Sequence, residues 1–211
     1  VEVALRRLTE ADQRLATRLG EHGSRQAAVL LLTLRGSPTL YYGDEIGMRE
    51  VEIPPDRRQD PWSMTEPGLG RDGCRTPMQW SPDPAAGFTS AKEPWLPVGS
   101  DHAVRNVQSQ LRDPDSHLNL YRRLLSLRRG SAALRSGAYR PVDPVPPECF
   151  VFERSQGTQR ALVAVNFSAE SLSVGVAGCA GRMAVSTHRA SEGREVEGTL
   201  DLQPHEALVV V

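Results

Sequence analysis

Cysteine is scarce in this chain of 211 residues, which has three in all. Cys74, Cys149 and Cys179 form no C-x-x-C pair and are odd in number, which argues against a disulfide framework or a zinc knuckle. The histidines His22, His102, His117, His188 and His205 are scattered without metal-ligand spacing, and solvated or capping roles are expected for them. No metal and no cofactor is expected. An excess of one charge sign is also lacking: 25 Lys+Arg stand against 26 Asp+Glu, a formal net charge of -1. Without a basic surface, nucleic acid is not an expected partner. The uncharged apolar stretch Ala27 to Leu34 is far shorter than the ~20 residues that cross a bilayer, so no membrane span is expected. The segment from Val1 to Arg14 is studded with charges and has no apolar core followed by small residues, unlike a secretory signal. A reducing cytoplasm is therefore the expected location.

What is present is an ordinary globular composition, 39% hydrophobic and 24% charged. Leu15, Leu19 and then Ala27 to Leu34 have helical character, interrupted by Gly20-Glu21-His22-Gly23, which predicts two helical pieces with the second largely buried. Gly36 and Pro38 end that helix, and Thr39-Leu40-Tyr41-Tyr42 is predicted as a short strand closed by Gly43-Asp44-Glu45. Between Pro54 and Pro97 lie nine of the 16 prolines and all three tryptophans, with little apolar periodicity. This predicts a long ordered loop, of a length usually kept for function. A further helix is expected from Asp115 to Leu127, with Leu118, Tyr121, Leu124, Leu125 and Leu127 opposite Arg122, Arg123, Arg128 and Arg129, and with Asp115 or Ser116 as cap. After Gly137 short apolar runs separated by turn residues predict a small antiparallel β-sandwich. The expected division is 1–136 and 137–211.

Chemistry concentrates in the long loop, in Gly70-Arg71-Asp72-Gly73-Cys74-Arg75-Thr76-Pro77-Met78-Gln79-Trp80. An arginine fork can donate paired hydrogen bonds to sugar hydroxyls or a carboxylate, and an indole can stack on the apolar face of a pyranose. The plain alternative is that Arg71 and Arg75 pair with Asp60, Asp72 or Asp83 and pin the loop.

The ordered series Arg35 to Met48, Arg57 to Pro61, Gly70 to Trp80 and Ala86-Gly87-Phe88 resembles the α-glucosidase branch of the α-amylase family, glycoside hydrolase family 13. Leu162 to Ser168 and Leu202 to Ala207 resemble strands of that family's C-terminal β domain. Because Asn166-Phe167-Ser168 falls in such a strand, its match to a glycosylation acceptor is read as coincidence. The resemblance implies an α/β plus all-β chain: the C-terminal part of a (β/α)8 barrel, with its last strand, helices and a long loop over residues 1–136, followed by the β domain over 137–211. A complete barrel needs ~250 residues.

Family members cleave α-glucosidic bonds with retention, using two carboxylates on barrel strands four and five, about 5–5.5 Å apart. No residue here is expected to fill either role, so the expected catalytic set is empty and the N-terminal barrel half is an implied partner, beside an α-glucoside oligosaccharide substrate. The family's Asn-His-Asp-x-x-Arg motif corresponds to Glu10-Ala11-Asp12-Gln13-Arg14, where Asn and His are missing and Asp12 sits one residue too close to Arg14; its role is not carried to Asp12. The second arginine of the Gly-Arg-Asp-x-x-Arg-Thr-Pro-Met-Gln-Trp motif grips the terminal sugar, which places that role on Arg75 and a secondary one on Arg71. Glu45 is expected to orient neighbours, and Tyr41, Tyr42 and Trp80 to pack within loop and core. The alternative function is a non-catalytic relative acting as a binding or transporter-partner domain. A carbohydrate-binding module is disfavoured by the few aromatics of the tail, Tyr139, Phe150, Phe152 and Phe167. Either way, half a barrel leaves the Tyr41-Tyr42 strand without neighbours.

Overall fold

The structure, a computed structural model, describes residues 14–62 and 70–211. These divide into two compact units, one of 14–24 with 40–118 and one of 25–39 with 119–211. The first helix, α1 (Leu15–Thr33), is divided after Ser24, and its two expected pieces meet at Gly20, whose φ of 68° and ψ of -171° no helix accommodates.

The second unit carries the regular structure. Helix α2 (Val107–Arg112) belongs to the first unit, whereas α3 (His117–Gly130) passes into the second at Asn119 and is followed there by α4 (Ala132–Ser136). The strands are β1 (Ala138–Pro141), β2 (Cys149–Gln156), β3 (Gln159–Asn166), β4 (Leu172–Ser186), β5 (Glu195–Leu202) and β6 (Ala207–Val210). They form one antiparallel sheet in the order β1-β2-β3-β6-β4-β5. Strands β2 and β3 pair from Cys149 opposite Asn166 to Gln156 opposite Gln159, and Gly157, at φ 59°, supplies the left-handed residue of the tight hairpin turn.

The apolar runs at Ala161 to Val165 and Ala207 to Val210 are continuous because both faces of these central strands are covered. One face places Phe152, Val163, Val165 and Val209 against Ala28, Val29, Leu32, Leu120, Tyr121, Leu124 and Leu134. The other places Val151, Leu162, Ala164, Leu208 and Val210 against Val174, Val176, Leu200 and Leu202.

In place of the two separate sheets of the expected β-sandwich there is one six-stranded sheet, whose β4–β5 part packs its apolar residues onto a face of β2, β3 and β6. The reason lies in β4, whose two apolar runs, Leu172 to Val176 and Met183 to Val185, look like separate strands in sequence. Met183 pairs with Val210 of β6, and Leu172 pairs with Leu202 of β5; a register shift between Gly175 and Ala180 joins the two stretches as one irregular strand.

Helix α3 also departs from expectation. Leu120 is fully buried and Leu125 is exposed, and Arg128, expected on the polar side, is buried. Its guanidinium donates to the carbonyls of Leu32 (2.8 Å) and Gly36 (2.6 Å), while Arg154, fully buried, donates to the Thr33 carbonyl (2.6 Å). The carbonyls of Leu32, Thr33 and Gly36, at and beyond the C-terminus of α1, are thus satisfied by two arginines. Burial pushes the pKa of both guanidinium groups down from the usual arginine value.

The first unit differs in kind. The expected strand Thr39–Tyr42 is irregular chain that enters a turn at Tyr42 and belongs to no ladder, and no barrel is formed by the described residues. A barrel strand exists only through pairing with its neighbours, and the first unit holds no strand among its described residues. Its apolar centre is small: Ile46, Met48 and Met78, with Val107 and Leu118 packed on them.

Candidate functional site

The described parts of the long loop carry short 3-10 turns at Pro55–Arg57, Asp72–Cys74 and Pro84–Gly87. Two aspartates organise it. Asp72 accepts the main-chain N–H groups of Gln59 (2.7 Å) and Asp60 (2.9 Å). Asp60 accepts the N–H of Arg71 (2.8 Å) and both arms of its guanidinium, Nε at 2.8 Å and Nη2 at 2.9 Å. This paired geometry holds the buried Asp60 carboxyl far below the usual carboxylate range, through the Arg71 side-chain hydrogen bonds first. Arg71 thus takes the ion-pair alternative weighed from sequence, with its side chain 41% exposed and its guanidinium carbon 5.8 Å from the centroid of the Trp62 ring.

Arg75 is different. Its N–H donates to the Asp72 carbonyl (3.0 Å), ending the 3-10 turn, but its guanidinium makes no hydrogen bond or ion pair among the described residues. The other arginines near it are engaged: Arg57 with Glu93 (3.4 Å), Arg105 with Asp101 (2.8 Å), and Arg14 with two main-chain carbonyls. Arg75 is also only half-buried, so an incoming group can reach it.

Behind it lies a buried polar cluster. Arg14 is fully buried, and its guanidinium carbon sits 5.6 Å and 5.0 Å from the ring centroids of Tyr41 and Tyr42. Gly43 is at φ 89°, and a Cβ there would run into the Arg14 guanidinium and the Met48 sulfur, so the close approach requires glycine. Glu45 accepts the Gly43 N–H at 2.7 Å and so orients the turn. Asp44 is buried with Oδ1 unpartnered, and burial raises its pKa to about 6 even though Arg14 opposes the shift. Desolvation also raises the Tyr41 and Tyr42 hydroxyls above the usual tyrosine value.

The expected packing roles are corrected for Trp80 and Tyr42, which are 50% and 41% exposed; Trp62 and Trp95, for which no packing was expected, are exposed as well. The histidine expectation is corrected at His117, which is buried: Nε2 lies 2.8 Å from Ser24 Oγ and Nδ1 lies 3.0 Å from Glu21 Oε1. The connectivity is that of a serine hydrolase triad, yet Ser24 is itself buried and its hydroxyl also lies 2.9 Å from the Glu21 carbonyl. It ties the first turns of α1 to the start of α3 rather than offering a nucleophile. The only sequence sign was Glu21 and Ser24 sharing a helix face; their partner lies far along the chain. Asp12 lies outside the described residues. Among those described, no group of three or more His, Cys, Asp or Glu could hold a metal ion, and no helix is long and apolar enough to cross a membrane.

Comparison with known proteins supplies context for this loop. The family described as Alpha amylase, catalytic domain, matches residues 8–137. A probable alpha-glucosidase of Rhizobium meliloti (strain 1021) is 39% identical over 145 residues, covering 68% of this chain and 26% of the relative. A probable oligo-1,6-glucosidase 2 of Bacillus subtilis (strain 168) is 32% identical over 183 residues, covering 74% of this chain and 32% of the relative. Among solved structures, the trehalulose synthase of Pseudomonas mesoacidophila MX-45 superposes with a TM-score of 0.81 at 27% identity, over 95% of this chain and 41% of that one. The chain spans about a quarter to a third of the length of the two curated relatives.

Proposed function

Since the chain belongs to the alpha-amylase family, whose fold derives from the (β/α)8 barrel, we propose that it is the C-terminal part of a retaining glycoside hydrolase acting on short α-glucosides from the non-reducing end. In this reading residues 1–136 complete the catalytic barrel, and 137–211 form its C-terminal β domain. The nucleophile and the acid/base are supplied by the N-terminal part of the barrel. The similarity to an alpha-glucosidase and an oligo-1,6-glucosidase supports the substrate class.

One observation carries the assignment of a binding residue. In a loop whose neighbouring arginines are engaged, Arg75 presents a guanidinium without a partner among the described residues. A planar fork of donors, already desolvated in part, is suited to two adjacent sugar hydroxyls, and gripping the terminal sugar closes the pocket at one end. Arg71 serves the same pocket through the loop that it pins to Asp60.

The test is kinetic, in the complete enzyme with a chromogenic α-glucoside. Arg75→Ala is expected to raise KM by roughly 10- to 100-fold through loss of the paired hydrogen bonds. An unchanged KM would remove Arg75 from the site. Sugar binding without turnover by the unmutated protein would favour the non-catalytic relative.

A further inference from the structure

The main chain on both sides of Arg75 is held by side chains from elsewhere in the same unit. On one side the Cys74 carbonyl accepts from Arg14 Nη2 at 2.7 Å and from the Tyr41 hydroxyl at 3.3 Å. On the other, the Thr76 carbonyl accepts from the Tyr42 hydroxyl at 2.8 Å. Arg14 also holds the Tyr42 carbonyl through Nη1 at 2.8 Å, so the two tyrosines and the Cys74–Thr76 segment share one buried cation. Three of these four bonds end on the carbonyl of a residue next to Arg75, the fourth ends on that of Tyr42, and none ends on Arg75 itself.

We propose that Arg14, Tyr41 and Tyr42 are positioning residues for Arg75: they fix the root of its side chain so that the guanidinium is presented in one place. The inference rests on the reading of Arg75 as the sugar-gripping arginine. Its physical basis is entropic and geometric. A flexible side chain on a mobile loop loses freedom at both levels when it grips a ligand, whereas a clamped backbone leaves only the side chain to order. Arg14 is suited to the task because its planar fork reaches two carbonyls at once and its face rests near two aromatic rings. A lysine would reach one carbonyl. Tyr42, partly exposed, spans from the Arg14 guanidinium to the Thr76 carbonyl and so links the two sides of the clamp.

Tyr42→Phe isolates the effect, since it removes one hydroxyl and leaves the ring over Arg14, and water can reach the freed carbonyl beside this half-exposed ring. In the complete enzyme this variant is expected to raise KM about fivefold, the worth of one hydrogen bond, with kcat within about twofold. Arg14→Lys should raise KM in the same direction, and hydrogen exchange at the Arg75 amide should quicken in both variants. The decisive measurement is the double variant Tyr42→Phe with Arg75→Ala, which should be no worse than Arg75→Ala alone, because a positioning residue has nothing left to position. Additive losses, or a wild-type KM in Tyr42→Phe, would overturn the inference. If Arg75→Ala alone leaves KM unchanged, the functional reading fails first; if that variant is impaired and Tyr42→Phe is not, only the positioning role fails.

Discussion

The two units solve the same problem with different means. In the second, the main chain is satisfied by strand ladders, and apolar side chains cover both faces of the central strands. Among the described residues of the first there are no ladders and the apolar cluster is small, so side chains do what a sheet would do. Asp60, Asp72 and Glu45 accept main-chain N–H groups. Arg14, Tyr41, Tyr42, Gln79 and Gln110 donate to main-chain carbonyls. A region built from loops can be ordered only if its peptide groups find partners in this way. The consequence for function is direct: Arg75 differs from the exposed Arg49 and Arg112 of this unit in being half-buried, and from its half-buried neighbours Arg57, Arg71 and Arg105 in having a guanidinium without a partner among the described residues.

The comparison predicts that the second unit is most sensitive to lost volume and the first to lost or shifted charge. The largest effect is expected from Phe152→Ala, which empties a fully buried position between strand and helix; urea unfolding followed by far-ultraviolet circular dichroism should show a loss of about 3–5 kcal/mol. A loss under ~1 kcal/mol would mean that the sheet is less tightly packed than the structure indicates.

Charge in the first unit should show itself through pH. Burial raises the Asp44 pKa from 3.8 to about 6, so the fold favours the protonated form. Its stabilising contribution is complete below the unfolded value and is lost as pH rises through the folded one. Asp44→Asn should therefore be more stable than the natural chain at pH above 6, by roughly 2–3 kcal/mol, and equal to it below about pH 4. Tryptophan fluorescence during urea unfolding reports this selectively, since all three tryptophans lie in the first unit. An equal stability gap at both pH values would break the argument.

Glu21 has the opposite sign and the smallest effect. The His117 hydrogen bond lowers its pKa from 4.5 to about 2, with Arg105 adding to the shift. Its contribution is present above the unfolded value and disappears as pH falls through the folded one. With the side chain 45% exposed, solvent screening reduces this to about 1 kcal/mol, which Glu21→Gln should remove at neutral pH but not near pH 2. Opposite pH trends in the two variants, read by the same fluorescence, would sharpen the contrast between a desolvated carboxylate and a paired one.

Much of the second unit was legible from residue order. Alternating or continuous runs of valine, leucine and alanine located β2, β3, β5 and β6, because a strand with a covered face must place apolar residues at fixed intervals. The unity of β4 was not legible, since a glycine-rich bend and a turn between two strands look alike until their partners are known. Nor was the inward turn of Arg128, whose partners are carbonyls at and beyond the end of another helix.

In the first unit the motif around Arg71 and Arg75 pointed to the loop that carries the proposed site. Which arginine is committed and which is presented was decided only in three dimensions, by the place of Asp60 beside Arg71. By itself the sequence determined the family, the helix break at Gly20, the strands β2, β3, β5 and β6 and the loop that carries the candidate site. These follow from local geometry and from residue patterns that repeat along the chain. The tertiary structure alone decided that Tyr41 and Tyr42 form no strand, that His117 is buried against Glu21 and Ser24, and that Arg14 holds the Cys74 carbonyl beside Arg75. Each of these depends on a partner distant in the chain, and hydrogen-bond complementarity across such distances leaves no periodic trace in residue order.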